Sequence, residues 1–208
     1  MSRFDSRIEP TVYVVDDDKN VRESLDRLIN AIGFNAKVFA SAQEFLDSYD
    51  SSEPGCLVLD VRMPGMSGLG LQHKLAENKS CLPIIFITGH GDVTTATEAF
   101  KKGAMDFIEK PFSDQKLLDS INKAVEISLN NYLNEAGRAN IQKRLESLTP
   151  REHQVMEGII DGKTNKMIAF ELDISPKTVD FHRCNIMEKM GVNSAVQLTK
   201  TVMKVLRT

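Results

Sequence analysis

Several short runs of apolar residues in the first 125 positions end in a polar residue. Three runs cover residues 11–15, 56–59 and 84–87 and are rich in Val, Ile and Leu, and a fourth segment, 105–108, lies just before Lys110 and is apolar apart from Asp106. Apolar runs of this length are typical of strands that are buried on both faces of a parallel sheet. The pattern therefore predicts an open α/β sheet whose parallel strands deliver their carboxyl ends to one edge.

The residues that follow these runs are polar and chemically complementary. They are an acidic run of Asp16, Asp17 and Asp18, then Asp60, Thr88 and Lys110, which precedes Pro111. Each of them taken alone is also explained as an ordinary polar cap where a strand enters a loop. Because ligands bind at the carboxyl edge of an open α/β sheet, four such positions together favour one crevice with carboxylates, a hydroxyl and an ammonium.

The charges of this crevice predict its chemistry. Clustered carboxylates repel one another, and oxygen ligands favour Mg²⁺ as the cation that holds them together. Asp60 stands alone at its strand end and is the candidate nucleophile, whereas Asp16 and Asp17 are adjacent and suit an ion. Attack by Asp60 on a phosphoryl group would give an aspartyl phosphate. Lys110 would neutralise the developing charge, and the Thr88 hydroxyl would donate a hydrogen bond to a phosphoryl oxygen.

At this point the first half of the chain resembles a known family. The matching stretches are VVDDDKNVR at 14–22, LVLDVRMPGMSG at 57–68, IIFITGHGD at 84–92 and GAMDFIEKPF at 103–112. They resemble the receiver domain of two-component response regulators, over residues 10–125. The resemblance implies a CheY-like (flavodoxin-like) fold with a doubly wound five-stranded parallel sheet. It also implies phosphorylation of Asp60 by a sensor histidine kinase with Mg²⁺ as cofactor.

The resemblance assigns metal-binding roles to several of these residues. Asp16 and Asp17 match the acidic pair, with Asp17 as the direct ligand and Asp16 acting through water. Asp60 matches the phosphoacceptor, which also contacts the ion. The backbone carbonyl of Arg62 is a further expected ligand.

Switching roles also follow from the resemblance. Lys110 matches the lysine that pairs with phosphate, and the bond before Pro111 is expected to be cis. Thr88 is expected to move toward the phosphate and to shift the loop Gly89–Asp92. Phe107 stands at the aromatic switch position, although a plain core aromatic is the alternative interpretation.

Composition supports two domains and a cytoplasmic location. Residues 1–137 hold 14 Lys and Arg against 21 Asp and Glu, a net −7, while residues 138–208 hold 12 against 8, a net +4. The positive half is the one suited to a polyanion, although a solvated surface also explains a small excess. Neither a membrane span nor a secretion signal is visible, so no membrane partner is expected. Three cysteines without a CxxC pair predict neither disulfides nor a zinc site.

Residues 149–198 predict four short helices. Thr149 and Glu152 have the spacing of a capping box, and Ser175 followed by proline opens the third helix. Two short helices joined by a tight turn, with an exposed polar face on the second, are the ingredients of a helix-turn-helix DNA-binding motif. Periodicity alone favours a small helical bundle without a DNA role, and the DNA-binding interpretation depends on specific residues.

The residues of this second half resemble another family. The stretches LTPREHQVM, GKTNKMIAFELDISPKTVDFHRCNIMEKMGV and NSAVQL resemble the LuxR-type DNA-binding domain of FixJ-class and NarL-class regulators, over residues 146–208. The resemblance places the helix from Pro176 to about Met190 in the major groove. The implied DNA contacts are Lys166, Lys177, Thr178, Asp180, Phe181, His182, Arg183 and Cys184.

Asp180 departs from many relatives, which carry Lys there. A carboxylate can accept a hydrogen bond from cytosine N4, and Phe181 can contact a thymine methyl. The alternative is that Asp180 only caps or solvates its helix.

The connection between the domains, residues 126–145, predicts a helical linker. From 114 to 146 there is no proline, and apolar residues recur near helical spacing. Gly137 weakens the helix, so a break or hinge is expected near residues 134–139.

Together these features predict a phosphorylation-dependent transcription regulator that is not an enzyme on external substrates. Phosphorylation would favour a homodimer through the face near residues 92–108, and the dimer would bind promoter DNA and act with RNA polymerase, as an activator of catabolic genes. A phosphatase or dehalogenase would need a second Asp two residues after Asp60, where Arg62 stands. A quorum-type regulator would share the second domain but would not need Asp17, Asp60 or Lys110.

Overall fold

The computed structural model describes residues 8–89 and 93–206. The chain divides after Leu133 into two compact units, which are called here the receiver unit and the helical unit. Most of the loop that was predicted to shift, residues 90–92, lies outside the described residues.

The receiver unit contains one five-stranded parallel sheet. Its strands are β1 (Thr11–Val15), β2 (Asn35–Phe39), β3 (Gly55–Asp60), β4 (Ile84–Thr88) and β5 (Asp106–Glu109). Their order across the sheet is β2-β1-β3-β4-β5, the order of the doubly wound flavodoxin-like fold. The predicted fold class is therefore confirmed for this unit.

Helices cover both faces of the sheet, which is why its strands read as apolar runs. They are α1 (Lys19–Ala31), α2 (Ala42–Ser48), α3 (Gly68–Glu77), α4 (Val93–Lys101) and the first part of α5 (Asp114–Glu146). Successive strand residues point to opposite faces, so Tyr13 and Val15 join one buried cluster while Val12 and Val14 join the other.

Helix α5 is continuous over 33 residues. The predicted break at residues 134–139 is therefore wrong, and the helix passes through Gly137. A single glycine costs a helix only about 1 kcal/mol relative to alanine, and helix formers surround it. Despite this length, no helix among residues 8–89 and 93–206 is both long and apolar enough to cross a membrane.

The helical unit contains four further helices. They are α6 (Pro150–Ile160), α7 (Asn165–Leu172), α8 (Pro176–Met190) and α9 (Ala195–Leu206). The predicted capping box is present, since the Thr149 hydroxyl accepts from the Glu152 amide and the Glu152 carboxylate accepts from the Thr149 amide. Ser175 caps α8 as predicted. Val155, Ile186 and Leu198 are fully buried in the centre of this unit.

Candidate functional site

The strand-end cluster comprises Asp16, Asp60, Thr88 and Lys110. Asp16 follows β1, Asp60 ends β3 and Thr88 ends β4, three neighbouring strands of the sheet. The three side chains belong to buried residues, with exposed fractions of 1%, 7% and 1% respectively. Parallel pairing of these strands carries all three to the same edge, as the apolar pattern predicted.

Lys110 joins this cluster from the position just after β5, the strand next to β4. Its Nζ atom donates to Asp16 Oδ2 at 2.8 Å and to Asp60 Oδ1 at 3.1 Å. Its backbone amide donates to the carbonyl oxygen of Thr88 at 2.7 Å. The bond between Lys110 and Pro111 is cis, as the resemblance implied. One ammonium thus lies between two carboxylates that are 44 residues apart in sequence.

The charges of the cluster do not balance. Burial raises the pKa of Asp60, and the Asp16 carboxylate adds to the increase, although the hydrogen bond from Lys110 opposes both. Burial alone would lower the pKa of Lys110, but its bonds to the two carboxylates outweigh burial and raise it. Lys110 therefore stays charged at neutral pH, and a second positive group would relieve the remaining repulsion.

The predicted metal ligands offer only oxygen atoms. Asp16 is buried, Asp17 is exposed directly after it, and the Arg62 amide donates to Asp60 Oδ2 at 2.7 Å. In the described part of the chain, no group of three or more His, Cys, Asp or Glu side chains is arranged to hold a metal ion. Oxygen donors with an uncompensated negative charge nevertheless fit a hard cation such as Mg²⁺.

Phe107 of β5 is half-buried. It packs against the core next to Phe86, with 6.2 Å between the ring centroids. The Asp106 carboxylate accepts from the Phe107 amide at 2.8 Å and also from the Ser120 hydroxyl of α5. Both the switch role and the core role of Phe107 are consistent with this partial burial.

Three supporting residues were missed by sequence reasoning. Asp18 caps α1 by accepting from the Asn20 amide, and Arg22 donates to the carbonyl oxygen of Asp16 at 2.6 Å. Both lie in the stretch VVDDDKNVR, whose Asp at the start of a helix was a usable signal. Buried Gln72 of α3 donates to the carbonyl oxygens at the end of α4, a contact without any local signal.

Gly68 was also missed, although it closes the stretch LVLDVRMPGMSG. A Cβ atom at this position would lie 2.2 Å from the carbonyl oxygen of Asp60. Only glycine lets the start of α3 approach the backbone of the candidate nucleophile so closely.

We expect Gly68→Ala to lower the free energy of unfolding of the receiver unit by about 2 kcal/mol, because backbone must move to admit the methyl group. All three tyrosines of the chain lie before Leu133, so tyrosine fluorescence during urea unfolding follows this unit alone. The matched control is Gly70→Ala on the same helix, where the added Cβ would meet the flexible Met66 side chain at 3.2 Å. Equal stability of the two variants would contradict the steric argument.

The helical unit places most of the predicted DNA contacts on α8. Lys177, Asp180, Phe181 and Cys184 are exposed and recur at helical spacing, and they are called here the exposed stripe of α8. Lys166 is exposed on the preceding helix, α7, whereas Thr178, His182 and Arg183 are half-buried. The opposite side of α8 is buried in the core through Val179, Ile186 and Met190.

Several of these side chains already have partners inside the unit. Asp180 accepts a hydrogen bond from Asn165, the first residue of α7, so it links the two helices of the motif. The Thr178 hydroxyl lies 2.8 Å from that of the cap residue Ser175. His182 Nδ1 is buried and has no hydrogen-bond partner within the described structure. Phe181 has an exposed fraction of 63%, and Lys177 and Cys184 of the same stripe are also exposed.

The sequence matches two known family profiles. The first, described as the response regulator receiver domain, covers residues 12–122, more than half of the chain. The chain belongs to the response regulator family. The second, described as bacterial regulatory proteins of the luxR family, covers residues 146–202 of this response regulator.

Individual relatives are similar in sequence over nearly the whole of this response regulator. The transcriptional regulatory protein FixJ of Bradyrhizobium diazoefficiens is 46% identical over 193 residues, which are 93% of this chain and 94% of that protein. The response regulator protein TodT of Pseudomonas putida is 44% identical over 91% of this chain and 83% of its own. A solved structure of the response regulator StyR has 43% identity and a TM-score of 0.88 over 94% of this chain and 99% of that chain.

These matches establish the coarse function of the response regulator. It is a two-component transcription regulator with a receiver domain and a LuxR-type DNA-binding domain, and not a conventional enzyme. The phosphatase and dehalogenase alternative is thereby set aside. The matched receiver profile equally disfavours a regulator that senses small quorum signals.

Proposed function

We propose that this response regulator is phosphorylated on Asp60 by a sensor histidine kinase, then dimerises and binds promoter DNA. The observation that carries the proposal is the bridge from Lys110 to both Asp16 and Asp60 at the ends of three neighbouring strands. A buried nucleophile beside a fixed ammonium is suited to a reaction in which negative charge develops on phosphoryl oxygens.

Each side chain of the strand-end cluster has a definite part in this reaction. An Asp60 oxygen forms a bond to phosphorus while the bond from phosphorus to the donor's nitrogen breaks. Lys110, already 3.1 Å from Asp60, pairs with a phosphoryl oxygen, and the Thr88 hydroxyl donates to another. Asp16, Asp17, Asp60 and the carbonyl of Arg62 would hold Mg²⁺. When bound, Mg²⁺ would neutralise negative charge on the phosphoryl oxygens.

The exposed surface of α4 supports dimerisation. Val93 and Phe100 have exposed fractions of 84% and 49%, and they lie seven residues apart on the same helix. We propose that phosphorylation makes this face and the adjoining β5 self-complementary, so that two copies associate. A second DNA contact then benefits from a high effective concentration.

The exposed stripe of α8 is the surface proposed to enter the major groove. Lys177 of the stripe, together with Lys166 of α7 and half-buried Arg183 of α8, supplies positive charge for phosphates. Phe181 offers an apolar contact to a thymine methyl. We propose that the dimer acts in the cytoplasm, where promoter DNA lies, and recruits RNA polymerase as an activator of catabolic genes.

The proposal is tested by enrichment of bound DNA from a random-sequence duplex pool. The full chain is incubated with Mg²⁺, with or without acetyl phosphate, and the recovered duplexes are sequenced while size-exclusion chromatography reports the oligomeric state. We expect acetyl phosphate to produce a dimer and to enrich a two-fold symmetric sequence. A phosphorylated chain that stays monomeric and enriches no sequence would overturn the proposal.

A further inference from the structure

The end of α5 is part of the helical unit. Ile141 and Leu145 of α5 pack in the same apolar cluster as Ile186 and Met190 of α8. Ile141 and Leu145 precede the matched LuxR-type region, residues 146–202, so residues outside that region contribute to the core that supports α8. This apolar packing buries one face of α8, and the polar backbone groups at its carboxyl end need other partners.

A directional contact is made by Arg144, in the last turn of α5. Its Nη1 atom donates to the carbonyl oxygen of Met190 at 2.7 Å. Met190 is the last residue of α8, and its carbonyl is one of the four at a helix end that lack a partner within the helix. A guanidinium at this end also interacts favourably with the helix dipole.

Gly191 provides the space for this contact. It ends α8 in the left-handed conformation, with φ of 63°, and a Cβ atom there would lie 2.5 Å from Arg144 Nη1. Glycine at this position thus serves both the backbone turn and the approach of the guanidinium.

A second polar contact joins the same two parts of the unit. Lys189 Nζ donates to the carbonyl oxygen of Ser147, just after α5, at 3.2 Å, and to Glu152 Oε2 at 2.7 Å. The carboxyl end of α8 is therefore held by two side-chain-to-backbone hydrogen bonds that run in opposite directions.

We infer that Arg144 is a positioning residue that sets the angle of α8 for base reading, which rests on the proposed DNA-binding function. Phe181 lies nine residues before Met190, about 14 Å along a helix at 1.5 Å per residue. A tilt of about 5° at the anchored end would displace Phe181 by about 1 Å, which is larger than the roughly 0.5 Å within which a binding constellation must be held.

The experiment compares Arg144→Ala with Arg138→Ala in the phosphorylated full chain. Arg138 is an exposed arginine on the same helix, so both variants lose one positive charge. The probes are the duplex that the unaltered chain enriches from a random pool and a scrambled duplex of equal composition. We expect Arg144→Ala to bind the enriched duplex about tenfold more weakly, which corresponds to about 1.4 kcal/mol. Its affinity for the scrambled duplex and the salt dependence of binding should match those of Arg138→Ala.

Other outcomes would overturn the inference. Equal weakening on both duplexes, with a salt slope reduced by about one, would make Arg144 a phosphate contact instead. If Arg144→Ala binds both duplexes with unchanged affinity, Arg144 has no positioning role. If thermal unfolding shows that Arg144→Ala is not folded at the assay temperature, Arg144→Gln is judged by the same two affinities. Failure of the proposed function would be distinguishable, because the unaltered chain would then enrich no duplex.

Discussion

Asp60→Asn is expected to abolish formation of a phosphoryl adduct when the chain is incubated with acetyl phosphate and Mg²⁺. Asparagine is nearly the same size as aspartate, and its single oxygen can keep one of the two hydrogen bonds, from Lys110 at Oδ1 or from the Arg62 amide at Oδ2, so the fold should persist. A neutral amide is a far weaker nucleophile than a carboxylate, so the phosphoryl group is not captured. Intact-mass analysis of the two proteins measures the adduct directly.

Controls separate loss of the nucleophile from loss of folding. Asp119→Asn, at an exposed position on α5, should keep the full adduct. Chelation of Mg²⁺ should also remove the adduct from the unaltered chain, because the unbalanced charge of Asp16 and Asp60 then opposes an incoming phosphoryl group. An adduct that persists in Asp60→Asn would identify a different nucleophile. If the folded, unaltered chain forms no adduct, then either the receiver accepts phosphate only from its kinase or the protein signals through its DNA-binding domain without phosphorylation.

Glu152→Gln is expected to lower the free energy of unfolding of the helical unit by about 3 kcal/mol. The Glu152 side chain is only 4% exposed and accepts from both Lys189 and the Thr149 amide. The neutral amide leaves the Lys189 ammonium without its charged partner and weakens the cap of α6. Circular dichroism during thermal unfolding should show the loss, while tyrosine fluorescence of the receiver unit should not change. Glu157→Gln, exposed on the same helix, should be close to neutral.

The same carboxylate predicts how stability depends on pH. Burial by itself would raise the pKa of Glu152, but hydrogen bonds from Lys189 and Thr149 outweigh it and bring the pKa from its ordinary 4.5 to about 2. Because the folded-state pKa is the lower one, this contribution is fully present above pH 4.5 and is lost as the pH falls toward 2. Acid titration should destabilise the helical unit of the unaltered chain across this interval and the Glu152→Gln variant much less. Parallel acid profiles would contradict the assignment.

Much of the receiver unit was predictable from the sequence, and the features that the sequence did not predict have identifiable physical causes. β1, β3 and β4 are covered on both faces, so burial produced visible apolar runs. β2 lies at the edge of the sheet, and Phe39 is its one buried residue, so its sequence NAKVF carries little apolar signal. The predicted break at Gly137 was wrong because a small local propensity does not outweigh the many residues that favour one helix.

The amino-acid sequence by itself determined the strand ends with their polar residues, the caps at Thr149 and Ser175, and membership of the family. These features depend on neighbouring residues and on repeating patterns. Only the tertiary structure decided that Lys110 lies between Asp16 and Asp60, and that Gly68 meets the backbone of Asp60. It also decided that Arg144 reaches the end of α8. Each of these contacts joins segments whose relative distance and direction depend on how whole elements pack, which a local pattern does not specify.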